Sequence, residues 1–148
     1  MKKLFFAALV TLSIGFSSFT ASADDSISSV KEFNTVNNTS KNVSWKYTDN
    51  FHKASMDLKG IKTEFFYTPD GEFLASSQSF DYAKLPQAAL KTLASNYAYP
   101  SYSLEECIVI ENANQETNYY VSLIKSNKKI ILQITEDGTV SPISAIKM

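Results

Sequence analysis

The sequence predicts an α+β fold, a tandem repeat of one helix followed by a four-stranded antiparallel sheet, with the helices packed on one sheet face. Three observations predict it. The stretch FFYTPDGEFLAS, Phe65 to Ser76, sets a Pro-Asp-Gly turn between two strand-like runs, and ILQITEDGTVSP, Ile131 to Pro142, has the same layout with its Asp-Gly 67 positions further on. From Trp45 onward apolar residues recur with a period near two in a stretch rich in aromatic and β-branched residues, as half-buried strands require. Ahead of each set of strands lies a segment with apolar residues at helical spacing.

The N-terminus, MKKLFFAALVTLSIGFSSFTASA, has two lysines, an apolar run from Leu4 to Phe16 and small residues ending in Ala21-Ser22-Ala23. This is the pattern of a secretory signal peptide, residues 1–23, with cleavage expected after Ala23. The apolar run falls short of the roughly 20 residues that a spanning helix needs, and no second apolar segment of the processed chain could cross a membrane. Cleavage removes 23 of 148 residues and leaves 125, Asp24 to Met148, the size of one ordinary domain. The expected location is periplasmic or secreted.

Losing Lys2 and Lys3 reduces the 14 basic residues to 12 against 15 acidic ones, a net charge of −3 with His52 neutral. Every basic residue is lysine, and neither a basic patch nor an arginine fork for phosphate is present, which excludes nucleic acid as a partner. The only cysteine, Cys107, cannot form an internal disulfide, so stability must come from a hydrophobic core. In the apolar run CIVI it is most simply a buried thiol.

The first unit spans about residues 26–80. SISSVKEFNTVN, Ser26 to Asn37, places Ile27, Val30 and Phe33 one turn apart, although its serine, threonine and asparagine favour a short helix. Ala54, Met56 and Leu58 then alternate with Lys53, Ser55 and Asp57 up to a turn at Lys59-Gly60, the returning strand runs from Ile61 to Tyr67, and a further strand starts at Phe73. At Pro69-Asp70-Gly71 proline presets the first turn position and glycine can take the positive φ that closes it.

The second unit, about residues 85–148, opens with LPQAALKTLASNY, Leu85 to Tyr97, where Ala89, Leu90, Leu93, Ala94 and Tyr97 keep helical spacing between Pro86 and Pro100. A shift of 67 places Ala54, Met56, Ile61, Phe65 and Tyr67 on Val121, Leu123, Lys128, Leu132 and Ile134, and only Lys128 breaks the apolar match. Val43-Ser44-Trp45 resembles Tyr102-Ser103-Leu104 at a shift of 59, so about eight extra residues fall in the polar loop Asn112 to Thr117.

The segment with Trp45, Phe51, Ala54, Gly60, Phe66-Tyr67 and Asp70-Gly71 resembles the motif of the PepSY-like, beta-lactamase-inhibitor-like proteins, small secreted bacterial proteins built from tandem helix-plus-sheet units. The resemblance covers essentially the whole processed chain, with Leu104 standing where Trp45 stands in the first unit. It implies the fold, an extracytoplasmic compartment and binding to a protein or peptide. It does not imply inhibition of a beta-lactamase, because function sits in particular surfaces and not in a fold.

No catalytic, metal or cofactor motif emerges, so the chain is expected not to be an enzyme. His52 is the only histidine, and nothing in the sequence singles out a nucleophile for it. Glu105 and Glu106 adjoin, but on a strand they point to opposite faces and cannot act on one bond. Trp45 shares a face with Val43 and Tyr47 and fits core packing. The glycan-acceptor triplets that begin at Asn37, Asn38 and Asn42 arise easily in so Ser/Thr/Asn-rich a stretch.

The face that the helices leave bare is the candidate partner-binding site. If Ala54, Met56, Leu58, Phe65 and Tyr67 point toward the helices, then Phe51, Lys53 and Phe66 point away, as do Tyr120, Ile124 and Ile131. Five of these six are apolar or aromatic, whereas a sheet face open to water is mostly polar. The face therefore either packs on another layer or binds a partner, and the tyrosine-rich link Tyr97 to Tyr102 could border it or cap the second helix. The expected function is a secreted, non-enzymatic module that binds an envelope or extracellular protein or peptide without a cofactor; the alternative is a small-molecule carrier or sensor.

Overall fold

Strand alternation organises the described part of the chain, which a computed structural model gives as residues 28–36 and 43–148. The expected signal peptide, its cleavage after Ala23 and the asparagines of the three acceptor triplets lie outside the described residues. The elements are α1 (Ser28–Val36), β1 (Ser44–Tyr47), β2 (His52–Leu58), β3 (Ile61–Tyr67), β4 (Phe73–Ser79), a 3-10 turn (Tyr82–Lys84), α2 (Gln87–Asn96), β5 (Ser103–Asn112), β6 (Thr117–Lys125), β7 (Lys128–Thr135) and β8 (Val140–Lys147). They fall into two compact regions. The N-terminal region holds residues 28–36 and 43–78 together with Glu111–Glu116, and the C-terminal region holds Ser79–Ile110 and Thr117–Met148.

The expected tandem repeat of a helix with its own four-stranded sheet is corrected here. The eight strands are hydrogen-bonded in sequence order, β1 to β8, as a single eight-stranded sheet, and among the described residues only α2 reaches ten residues as a helix. Turn chemistry shows where a strand ends, but a sheet ends only where backbone N–H and C=O groups meet no further strand. The helix and turns between Ser79 and Ser103 therefore gave no local sign of what the flanking strands pair with.

Within the N-terminal region β2 and β3 form a hairpin that pairs Ala54 with Phe65 and Leu58 with Ile61. Its two-residue turn has positive φ at both Lys59 and Gly60, the twist-matched hairpin geometry, and the Asp57 carboxylate accepts from the Gly60 N–H at 2.6 Å. In the C-terminal region β6 and β7 pair Val121 with Leu132 and Lys125 with Lys128, so the turn falls on Ser126-Asn127. β8 has β7 as its only neighbour in the strand order and carries Pro142, whose missing N–H is tolerated on an edge strand.

The β3–β4 and β7–β8 turns are built alike. Thr68 N–H donates to the Glu72 carbonyl at 2.8 Å and Gly71 N–H to the Thr68 carbonyl at 3.0 Å; Thr135, Thr139 and Gly138 repeat these bonds at 3.1 and 2.9 Å. Gly71 and Gly138 have φ of +98° and +86°. A Cβ on Gly71 would lie 2.7 Å from the Ser28 Cβ, and one on Gly138 would lie 2.8 Å from the Ala88 Cβ. Each turn is thus pressed against the start of its region's helix, where only glycine combines that φ with that clearance.

Each helix packs on strand residues of a single parity. Val30 and Phe33 of α1 are buried with Trp45, Ala54, Met56 and Tyr67, and Phe33 meets Trp45 and Phe65 edge-on at centroid separations of 5.5 and 5.4 Å. Leu85, Ala89 and Leu93 are buried with Cys107, Val121, Leu123, Leu132 and Ile134. Full burial of one such side chain contributes about 1.5–3 kcal/mol.

Candidate functional site

Because side chains alternate across a strand, the residues between those core positions share the opposite face. In the N-terminal region that face carries Lys53 opposite Phe66, Ser55 opposite Glu64, Phe66 opposite Ala75 and Glu64 opposite Ser77. Phe51 joins them from the β1–β2 turn. Thr48 holds that turn, its hydroxyl donating to the Phe51 carbonyl at 2.7 Å and accepting from the Phe51 N–H at 3.1 Å, and the Phe51 ring lies 6.0 Å from that of Phe66.

Lys53 is not a free charge on this face. Its ammonium donates to Glu64 Oε1 at 2.9 Å; the Lys62 ammonium lies 3.4 Å from the same oxygen, and the Ser55 hydroxyl makes a long contact at 3.5 Å. The other carboxylate oxygen, Glu64 Oε2, is buried without a hydrogen-bond partner. Two charges taken out of water need mutual attraction and full hydrogen bonding to offset the desolvation, and breaking such a pair from one side costs about 3–5 kcal/mol.

In the C-terminal region the same parity places Tyr120 opposite Gln133, Ser122 opposite Ile131 and Ile124 opposite Lys129. Ile108 and Ile110 of β5 share this parity, since their neighbour Cys107 points to the α2 core. Burial raises the Tyr120 phenol to about 12, so it stays a neutral hydroxyl. Ser122 Oγ is buried without a hydrogen-bond partner, and Lys129, on the half-buried rim, pairs with Glu105 at 2.7 Å.

The six residues picked from the sequence thus stand on the strand parity opposite the helix-covered core, three in each region. None of them is exposed in the full chain. Phe66 and Ile131 are 0% exposed, Tyr120 is 3% exposed, Phe51 and Lys53 are also buried, and Ile124 is half-buried. The structure brings Phe51, Lys53 and Phe66 into one group and sets Ser122 beside Ile131. Glu64 and Ser122 were missed. The signal for Glu64 was legible, since it stands two residues before Phe66 on the same strand and so shares its face; Ser122 carried no comparable mark.

His52 faces α1, where the structure supplies the partner that the sequence did not reveal. Ser29 Oγ lies 2.8 Å from His52 Nδ1, and the Tyr47 ring stands 4.9 Å away in an edge arrangement. Burial lowers the His52 pKa, so the ring stays neutral and Nδ1 can accept from the serine hydroxyl. Ser29 is completely buried, which keeps any substrate carbonyl from its oxygen. The pair fastens α1 to β2. Among the described residues no three His, Cys, Asp or Glu side chains gather as a metal site. Burial first, then the charges of Asp81 and Glu106, push the Cys107 thiol up to about 12, which leaves it protonated and unreactive.

No family model matches the chain, and no curated protein does. Solved structures do. A candidate periplasmic protein from Bacteroides eggerthii is similar at a TM-score of 0.71 and 15% identity over 86% of this chain and 90% of that one. A DUF2874 family protein from Bacteroides uniformis gives 0.67 and 15% over 86% and 89%, and a BLIP-like protein from Bacteroides fragilis gives 0.64 and 16% over 80% and 84%. At such identities what is shared is the fold, a beta-lactamase-inhibitor-like one. No helix among the described residues is long and apolar enough to cross a membrane.

Proposed function

We propose that the processed chain, Asp24 to Met148, is a non-enzymatic PepSY-like module of the periplasm or cell exterior that binds a protein or peptide on the sheet face opposite its helices. One observation carries the reading. That face is apolar at Phe51, Phe66 and Ala75 in one region and at Ile108, Ile110, Tyr120 and Ile131 in the other, while the described helices and the 3-10 turn all pack on the other side. A sheet face of this composition fits the apolar surface of a partner. The likeness to a candidate periplasmic protein and to a BLIP-like protein supports the compartment and the mode of action.

The test is a cross-linked pull-down from the native cell envelope with the processed chain as bait and its Phe66→Ser/Tyr120→Ser form as control, followed by calorimetry with the purified partner. Capture and direct binding by the native bait, both lost in a control that keeps its circular dichroism spectrum and melting temperature, support the reading. Unfolding of the control places Phe66 and Tyr120 in a structural core and overturns it, as does an empty pull-down from folded bait.

A further inference from the structure

The end of the C-terminal region where β5 starts and β8 finishes combines two features. The first is a rank of lysines. Lys125 stands directly opposite Lys128, and Lys128 directly opposite Lys147. Lys125 and Lys128 share the strand parity of Leu123 and Leu132, the side that α2 covers further along. Three like charges thus cross neighbouring strands about 4.8 Å apart, an arrangement that is destabilising without a counter-charge. No described carboxylate pairs with any of the three, and the next rank on that side, Leu123, Ile130 and Ala145, contains no acid. Lys125 donates to a neutral partner, the Tyr102 hydroxyl, at 3.2 Å, and its ammonium lies 4.7 Å from the centre of that ring. Glu105 is matched by Lys129 at 2.7 Å, so even a free carboxylate at Met148 leaves this end positive.

The second feature is apolar. Among the described residues five large apolar side chains are exposed, and four of them, Tyr99 at 85%, Met148 at 60%, Leu104 and Ile146, gather at this end. Tyr99 lies in the link between α2 and β5, where the Tyr102 N–H donates to the Ala98 carbonyl at 3.1 Å, and Leu104 follows on β5. Ile146 adjoins Lys147, and the Met148 N–H donates to the Asn127 carbonyl in the β6–β7 turn at 2.9 Å. Apolar residues exposed singly mean little, but a group of them beside lysines is the composition of a surface that settles on lipid. We infer that this end docks on an anionic lipid bilayer. Lys125, Lys128 and Lys147 meet the headgroup phosphates, while Tyr99, Leu104, Ile146 and Met148 enter the boundary between headgroups and acyl chains, a depth that suits tyrosine. The net charge of −3 on the processed chain turns the remainder of the molecule away from such a surface. An acidic polypeptide also complements the lysines but leaves the four apolar side chains without a role. The inference goes beyond the proposed binding function and does not rest on it.

The test is co-sedimentation of the processed protein, Asp24 to Met148, with vesicles of phosphatidylcholine alone and with vesicles carrying about one third phosphatidylglycerol. The native protein is expected to partition onto the anionic vesicles and not the neutral ones, and to be released as salt screens the charges. Lys125→Gln/Lys128→Gln/Lys147→Gln should lower the partition coefficient roughly fivefold for each lysine and so about a hundredfold in all. Tyr99→Ser/Met148→Ser should lower it as well, and both variants, altered only at exposed positions, should keep the native melting temperature. Soluble polyglutamate is the second arm. Binding of polyglutamate as tight as that of anionic vesicles, with neither affected by Tyr99→Ser/Met148→Ser, overturns the inference in favour of an acidic polypeptide. Equal partition onto both kinds of vesicle, undiminished partition of the folded lysine variant, or no partition of the folded native protein overturns it too. The reading of the sheet face stands or falls separately, on Phe66 and Tyr120.

Discussion

The N-terminal and C-terminal regions close their turns with the same bonds but fill their cores with different chemistry. α1, SSVKEFNTV, is poor in strong helix formers and is held through Phe33, around which Trp45, Phe65 and Tyr67 stand edge-on. α2, QAALKTLASN, is rich in alanine and leucine and sits on an aliphatic floor of Val121, Leu123, Leu132 and Ile134. A weak helix can be kept by a few large aromatic contacts, each worth about 0.5–1.5 kcal/mol beyond burial, where a strong one needs only a smooth surface. The faces opposite the helices differ too, since the N-terminal one carries a buried ion pair and the C-terminal one is apolar around Tyr120 and Ser122.

The comparison breaks most visibly at the helix anchors. Phe33→Ala should cost about 3–5 kcal/mol, by the usual scale of a phenylalanine truncated in a core, and Leu93→Ala about 2–5 kcal/mol. In urea titrations α1 should be the more vulnerable, because one residue gathers most of its packing. A larger loss for Leu93→Ala would show that the aromatic cluster shares its load among the strands instead.

Next in size are the turns. Gly71→Ala and Gly138→Ala should each cost about 1–3 kcal/mol, since each forces a Cβ into positive φ and against a helix start. Similar melting-temperature losses would sharpen the likeness of the two turns. Loss at one alone would mean that its helix start can move aside.

The smallest effect concerns His52, which has no counterpart in the C-terminal region. Burial holds its folded pKa below the ordinary 6.5, so the unfolded chain takes up the proton first. The resulting stability is fully present above pH 6.5, falls as the pH drops below that value and levels off once the folded protein is protonated as well. Urea midpoints of the native protein should show this slope, and His52→Gln should flatten it. An unchanged slope in the variant would assign it to carboxylates.

Much of this was legible along the chain. The strand runs, the turns at Asp70-Gly71 and Asp137-Gly138, the α2 segment and the shared parity of Phe51, Lys53, Phe66, Tyr120, Ile124 and Ile131 all follow from local rules. A strand sends successive side chains to opposite faces, and a turn of positive φ calls for glycine. Missing were the contact of Ser29 with His52, 23 residues apart, and the capture of Lys53 by Glu64 from the neighbouring strand. Neither partner carries a local mark of the other.

Periodicity and turn chemistry, which act over a few residues, determined the strands, their faces and their hinges. Only the tertiary structure decided that the eight strands join as one sheet, that Lys53 is neutralised and that one oxygen of Glu64 stays unbonded. Backbone N–H and C=O groups pair with whichever strand lies alongside, and the burial of a charge depends on everything around it, so both outcomes are settled by the folded whole.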